Sequence, residues 1–170
     1  MAHTLAERWT ALFKDECEAT RRVIGALPDD RHAFRPHPKS MTAGELAWHI
    51  AGGFKWEAEV ILSGHDYIVD PTRRFAPPPG TTAEILDRFA KFVEEYGSQL
   101  SRLPDEIMDT PRSLCMPDGK PAFTLSIMSW LYRVILVHMA HHRGQLGVYL
   151  RLMDIPVPGA CGPSADEKVR

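Results

Sequence analysis

His138-Met139-Ala140-His141-His142-Arg143-Gly144-Gln145 places three imidazoles within five residues of a segment that otherwise reads as a long apolar helix. An α-helix advances about 100° per residue, so side chains four apart stand one turn above each other and point the same way. His138 and His142 have that spacing and can converge on one ion. A first-row divalent metal usually takes at least one further protein ligand. His49 offers it from a second apolar helical stretch, Glu45-Leu46-Ala47-Trp48-His49-Ile50. The expectation is a metal site built from three histidines.

Helical projection separates the three clustered histidines. With Arg133 at 0°, Ser126, Ser129, Ala140, Gly147 and Arg151 fall within roughly 40° of it, a solvated or closely packed side. Leu131, His138, His142 and Tyr149 fall at roughly 140° to 180°, facing the core, while His141 lies near roughly 80°. His138 and His142 are therefore the inward pair, and His141 is a rim residue or an outer hydrogen-bonding partner. Two buried histidines one turn apart need either an ion or several polar partners, because an unpaired buried polar group costs roughly 1 to 3 kcal/mol. A hydrogen-bonded polar core is thus the competing reading, and a single histidine such as His49 taken alone fits it well. Gln145 could orient a bound group and Arg143 could attract an anionic substrate. Trp48, Trp56 and Tyr149 read first as core, with Trp56 and Tyr149 also possible substrate contacts. His3, His32, His37 and His65 lie near a terminus or beside Pro and Gly, where solvent exposure accounts for them.

Working outward, four helical segments separate at clusters of Pro, Gly and Asp. The first spans about Thr4 to Ala26 and ends before Pro28-Asp29-Asp30. The second opens at Thr42, with Glu45 at capping-box spacing, and runs through Leu62 to a stop at Gly64. The proline-rich connection Phe75-Ala76-Pro77-Pro78-Pro79-Gly80 leads to a third, opened by Thr81 and Glu84 and carrying Ile85, Leu86, Phe89, Phe92, Val93 and Leu100. Asp105 to Phe123, with Pro111, Pro117-Asp118-Gly119 and Pro121, reads as a loop or a small hairpin. Thr124 can cap the last helix, which runs to about Met153 before Ile155-Pro156-Val157-Pro158-Gly159. The expected fold is all-α, an antiparallel four-helix bundle over residues 1–163 as one domain, followed by a polar tail, 164–170.

Composition narrows the function. The 170 residues are 44% hydrophobic and 25% charged, as in a soluble globular protein. A net charge of -2 without a basic stripe argues against nucleic acid and anionic lipid as partners. Glu7, Arg8 and Lys14 interrupt the N-terminal apolar residues, so no signal peptide or membrane span is expected and the cytoplasm is the expected location. Cys17, Cys115 and Cys161 are odd in number and widely spaced, and read as free thiols.

The chain resembles the DinB/YfiT-like family of metalloenzymes through Glu45-Leu46-Ala47-Trp48-His49-Ile50, through His138-Met139-Ala140-His141-His142-Arg143-Gly144-Gln145-Leu146, and through Tyr149-Leu150-Arg151-Leu152-Met153-Asp154-Ile155-Pro156-Val157-Pro158. Gly162-Pro163-Ser164 is similar to the family's C-terminal ending, whereas Asp105 to Phe123 has no counterpart. The resemblance implies a four-helix bundle, often a homodimer, with a divalent metal on three histidines, here His49, His138 and His142. It also implies kinship with thiol S-transferases that use bacillithiol or mycothiol and with thiol-dependent isomerases. The family name's association with DNA damage implies no DNA binding.

Function therefore divides three ways. In the first reading a divalent cation (Zn, Ni, Fe or Mn) activates a low-molecular-weight thiol that attacks a small-molecule substrate. In the second the metal activates water and the protein is a hydrolase. In the third the metal only stabilises the bundle. Three neutral ligands leave coordination positions open, unlike the closed four-ligand set usual in structural zinc sites, which favours the catalytic readings.

Overall fold

A computed structural model of the chain describes residues 3–72, 78 and 80–167. The elements begin where side chains satisfy the free N–H groups of a first helical turn. Thr4 and Glu7 open α1 (Leu5–Gly25), Thr42 and Glu45 open α2 (Ala43–Gly52), and Thr81 and Glu84 open α4 (Thr82–Leu100), each pair as a reciprocal capping box. The helix expected over Thr42 to Leu62 breaks at Gly53-Phe54 into α2 and α3 (Lys55–Leu62). Gly64, at φ 75°, turns the chain away after α3.

The apolar periodicity of each helix becomes its buried face. Trp9, Phe13, Cys17 and Ile24 of α1 are buried, with Trp9 stacked on Phe13 at 4.8 Å between ring centroids. Ile85, Phe89, Phe92, Tyr96 and Leu100 of α4 meet them at spacings of three and four. α1 packs on α4 and on the final helix, and α2 packs on the same two elements, so α1 and α2 occupy opposite corners of a four-cornered bundle. The Trp9 indole donates to the Leu131 carbonyl at 3.1 Å and satisfies a polar group inside this core.

The all-α expectation is corrected by a three-stranded mixed sheet in the order β1-β2-β3. β1 (Tyr67–Ile68) lies parallel to β2 (Pro111–Cys115), and β2 lies antiparallel to β3 (Pro121–Ser126), with Leu114 opposite Phe123 and Pro111 opposite Ser126. The hairpin alternative for Asp105 to Phe123 is thus the one realised, and it closes at Gly119 with φ 81°. Two features hid the sheet. Strands of two to six residues offer too little alternation to read, and β1 pairs across more than 40 residues of sequence, which no local pattern registers. Thr124 pairs within β3 and bonds Ser113 through its hydroxyl at 2.9 Å. Ser126 is the cap instead, accepting from the Ser129 N–H.

The final helix is likewise not uniform. A single α turn, α5 (Ile127–Ser129), passes into a π-helical segment over Trp130–Val137 and then into α6 (His138–Leu152). The i→i+5 bonding of a π segment winds differently from an α-helix, so a wheel drawn through the whole length slips across it. His138 and His142 both lie in α6 and keep their one-turn relation. The tail does not trail away: Asp166 pairs with Arg151 and accepts from the Val157 N–H at 2.8 Å, and Glu167 accepts from the Gly159 N–H at 2.9 Å. Residues 168–170, and the proline-rich connection apart from Pro78 and Gly80, lie outside the described residues.

Phe54, fully buried, sits at the break between α2 and α3 with its ring 5.2 Å from that of His138 and 6.4 Å from that of Phe92. Phe54→Ala should cost about 3 to 5 kcal/mol in urea denaturation, the range for an aromatic removed from a core. Leu12→Ala, at a side chain 58% exposed, should change stability by less than about 0.5 kcal/mol.

Candidate metal centre

The three histidines converge. One ligand nitrogen from each of His49, His138 and His142 lies within 4.8 Å of the others. His49 enters from α2 between the buried residues Leu46 and Ile50, and His138 and His142 enter from one face of α6. The His49 ring stands nearly perpendicular to that of His142, with centroids 4.6 Å apart. Gly53 makes room for His49: a Cβ there would lie 2.4 Å from the His49 carbonyl oxygen and 3.0 Å from both Cε1 and Nδ1 of its ring. This is a close approach that only glycine permits.

Hydrogen bonding orients the rings. Gln145 Oε1 stands 2.7 Å from His142 Nδ1, and since the amide oxygen can only accept, Nδ1 carries the proton and Nε2 presents its lone pair. That Nε2 faces His138 Nε2 at 2.8 Å. Two facing imidazole nitrogens need either a proton on the line between them or a cation that accepts both lone pairs. Burial keeps all three rings neutral, which is the ligating form. It pushes His49 down to about 4, reinforced by His142, His138 and Arg88. Burial also lowers His138, helped by His142, and lowers His142 against the opposing Gln145 hydrogen bond. The donor set is therefore suited to a borderline divalent metal.

Two cavities reach this trio from different sides. One of about 440 Å³ touches His49 and is lined by Trp48, Arg35, Lys39, Arg88 and Gly53 among others. The second, about 510 Å³, touches His138 and His141 and is walled by Phe123, Leu125, Val134 and Val137, with Arg133 at its edge. Phe123 and Leu125 belong to β3, so the β2–β3 hairpin builds this apolar wall.

The chain belongs to the DinB superfamily. The superfamily's sequence profile matches residues 12–146. Among curated relatives, the uncharacterized protein YrdA of Bacillus subtilis (strain 168) is 25% identical over 158 residues, covering 89% of this chain and 85% of that protein. YjoA of the same strain is 25% identical over 141 residues, covering 83% and 86%. A crystal structure of a DinB-like protein from Bacillus cereus ATCC 10987 superposes with a TM-score of 0.73 at 25% identity, covering 94% of this chain and 99% of that one. The crystal structure of the DinB-like protein YjoA shares the fold, with a TM-score of 0.66 at 21% identity and coverage of 88% and 96%.

The remaining residues singled out from sequence divide within this DinB fold. Gln145 bonds His142, and the exposed His141 lies at the apolar cavity with its ring 5.0 Å from that of His142. Arg143 points the other way: it is buried against α1, donating to the Glu16 carbonyl at 3.2 Å and pairing with the Glu16 carboxylate. Tyr149 donates to the Met41 carbonyl, and Trp56 packs near Tyr67 and Trp130, so neither reaches the trio. Trp48, read first as core, lines the polar cavity. His32 corrects its assignment to solvent exposure, since its side chain is 14% exposed and its Nε2 lies 2.8 Å from the Thr82 hydroxyl at the start of α4. Arg88, Lys39 and Arg35 were not singled out at all, because their closeness to His49 arises from packing of separate segments.

The lowered His49 value sets a pH dependence. The unfolded chain, with an ordinary histidine, binds a proton as pH falls below about 6.5, whereas folded His49 resists until about 4. The stability this group supplies is therefore complete above that window and is lost as pH falls through it. Thermal melting of chelator-treated protein should drop between pH 6.5 and 4, with a shallower slope in His49→Leu.

Proposed function

We propose that His49, His138 and His142 are the ligands of one divalent transition metal and that the centre serves thiol transfer to a small electrophile. The observation that carries the reading is the convergence of three neutral imidazole nitrogens within 4.8 Å. A cation bound there with open positions lowers the pKa of a coordinating thiol and so supplies thiolate near neutral pH.

The chain's own residues support the rest. Gln145 holds His142 in the tautomer that presents Nε2, and Gly53 leaves space for the His49 ring. Cavities on two sides of the trio suit a reaction that brings two small molecules together, one of polar and one of apolar character. The attacking thiol comes from outside the chain. Cys17 is buried, its thiol pushed up to about 12, Cys115 is buried, and Cys161 lies beside Arg143 on the α1 side. In the transfer the thiol sulfur forms a bond to an electrophilic carbon, the leaving group departs with its electron pair, and the thiol proton passes to solvent.

Elemental analysis tests the ligands. Wild type should hold about one metal per chain, and His49→Ala, His138→Ala and His142→Ala should each lose most of it, while folded His141→Ala retains it. Gly53→Ala, which crowds the His49 carbonyl and ring at the end of α2, should weaken metal retention and lower the melting temperature. A wild type that neither carries nor takes up metal would overturn the reading. Consumption of a model electrophile should require both metal and an added low-molecular-weight thiol, and activity without thiol would turn the assignment to hydrolysis.

A further inference from the structure

The cavity beside His49 carries a charge pattern that the three histidines do not explain. Arg88 of α4 lays its guanidinium over the Trp48 ring at 3.7 Å from the centroid. This is the stacked geometry that holds an arginine flat and leaves its N–H edge free. The seat for it is specific. A Cβ on Gly52 would fall 1.8 Å from Arg88 Nε and 2.2 Å from Cζ, so only glycine lets the guanidinium lie against the end of α2. Consecutive glycines thus serve two neighbouring groups, Gly52 for Arg88 and Gly53 for His49.

Arg88 makes no salt bridge among the described residues, and neither does Lys39 on the same cavity. Arg35 is pinned at the rim, donating to the Ser40 carbonyl at 2.8 Å and to Glu45 Oε2 at 3.2 Å. Glu45 is thus the one carboxylate lining this cavity among the described residues, and it is engaged. Among the described residues three cations face one anion, and the planar arginine is half-buried and held in place by an aromatic face. A carboxylate or phosphate fits such a fork through paired, charge-assisted hydrogen bonds.

We propose that the cavity formed by Arg88, Lys39 and Trp48 beside His49 is an anion-binding subsite that takes a carboxylate- or phosphate-bearing small molecule, leaving its reactive end toward the histidines. Arg88 is its binding residue, Lys39 adds attraction at the mouth, and Gly52 and Trp48 are positioning residues. The role of the subsite in transfer rests on the metal-centre reading above, whereas anion binding itself depends on protein groups alone.

Chelator-treated protein titrated with succinate, followed by NMR of the Trp48 indole and the Arg88 side-chain N–H, separates the two. Saturable shifts at both groups are expected without metal, with succinamide, the uncharged diamide, giving none. Arg88→Gln should weaken succinate binding at least tenfold, and Lys39→Gln, at an exposed residue, about threefold. Gly52→Ala keeps every charge but displaces the guanidinium, and should also weaken binding severalfold while the melting temperature holds. Shifts that appear only after metal is added would place the carboxylate on the metal and overturn the subsite. Equal affinity in Arg88→Gln and wild type would overturn it as well. With metal present, mercaptosuccinate binding more tightly than succinate assigns the anion to the thiol partner, and equal binding assigns it to the electrophile.

Discussion

Two imidazole nitrogens facing each other at 2.8 Å inside the bundle are the constraint around which the centre is arranged. Each carries a lone pair or a single proton, so the pair holds only with a proton or a cation between them. Gln145 narrows the choice by occupying Nδ1 of His142, and His49 approaches from α2, which packs on the same helix. Burial removes the option of protonating all three, since charged rings crowded together in a poorly solvated space repel one another. The result is a set of neutral donors that pure hydrophobic packing would not produce.

The surrounding fold serves this arrangement. α1 and α4 supply the large aromatic core that fixes the bundle, and α2 and α6 carry the histidines on faces that look toward each other. The break at Gly53-Phe54 ends α2 just beyond His49, and Phe54 turns inward to pack between His49, His138 and Phe92. The π-helical segment ahead of His138 resets the winding of the last helix immediately before His138 and His142. π-helical turns are frequent at functional sites. The sheet contributes at the same end: Phe123 lies 5.1 Å from Trp130 between ring centroids, and the Trp130 indole donates to the Arg112 carbonyl. The hairpin is thereby tied to the π segment and walls the apolar approach to His138.

Polarity is divided across the centre. On the His49 side the cavity is edged by Arg88, Lys39 and Arg35, and on the His138 side by side chains such as Phe123, Leu125 and Val137. Such a division presents groups of different character to the histidines from two directions. Arg143, the cation nearest the histidines in sequence, takes no part in it. Its guanidinium is spent on Glu16 and Thr20 of α1, where it fastens the last helix to the first.

Much of this was legible in one dimension because it depends on local rules. Capping boxes at Thr42 and Thr81 mark helix starts by hydrogen bonding within four residues, and the spacing of His138 and His142 fixes their common face within one helix. The resemblance carried by Trp48-His49 and His138 to Gln145 pointed to the DinB superfamily, to which the chain belongs. Tertiary packing decided the rest. Pairing of Tyr67-Ile68 with Leu114-Cys115 joins strands too short and too distant to leave a pattern. The inward turn of Arg143 was set by a carboxylate on another helix, and the seat of Arg88 over Trp48 and Gly52 by how α4 lies on α2. Sequence by itself determined which residues could act as ligands and on which helices they ride, because periodicity and capping are properties of neighbouring residues. Which charges surround them, and from which sides a small molecule can arrive, was decided by contacts between segments far apart in the chain, whose energies no single segment encodes.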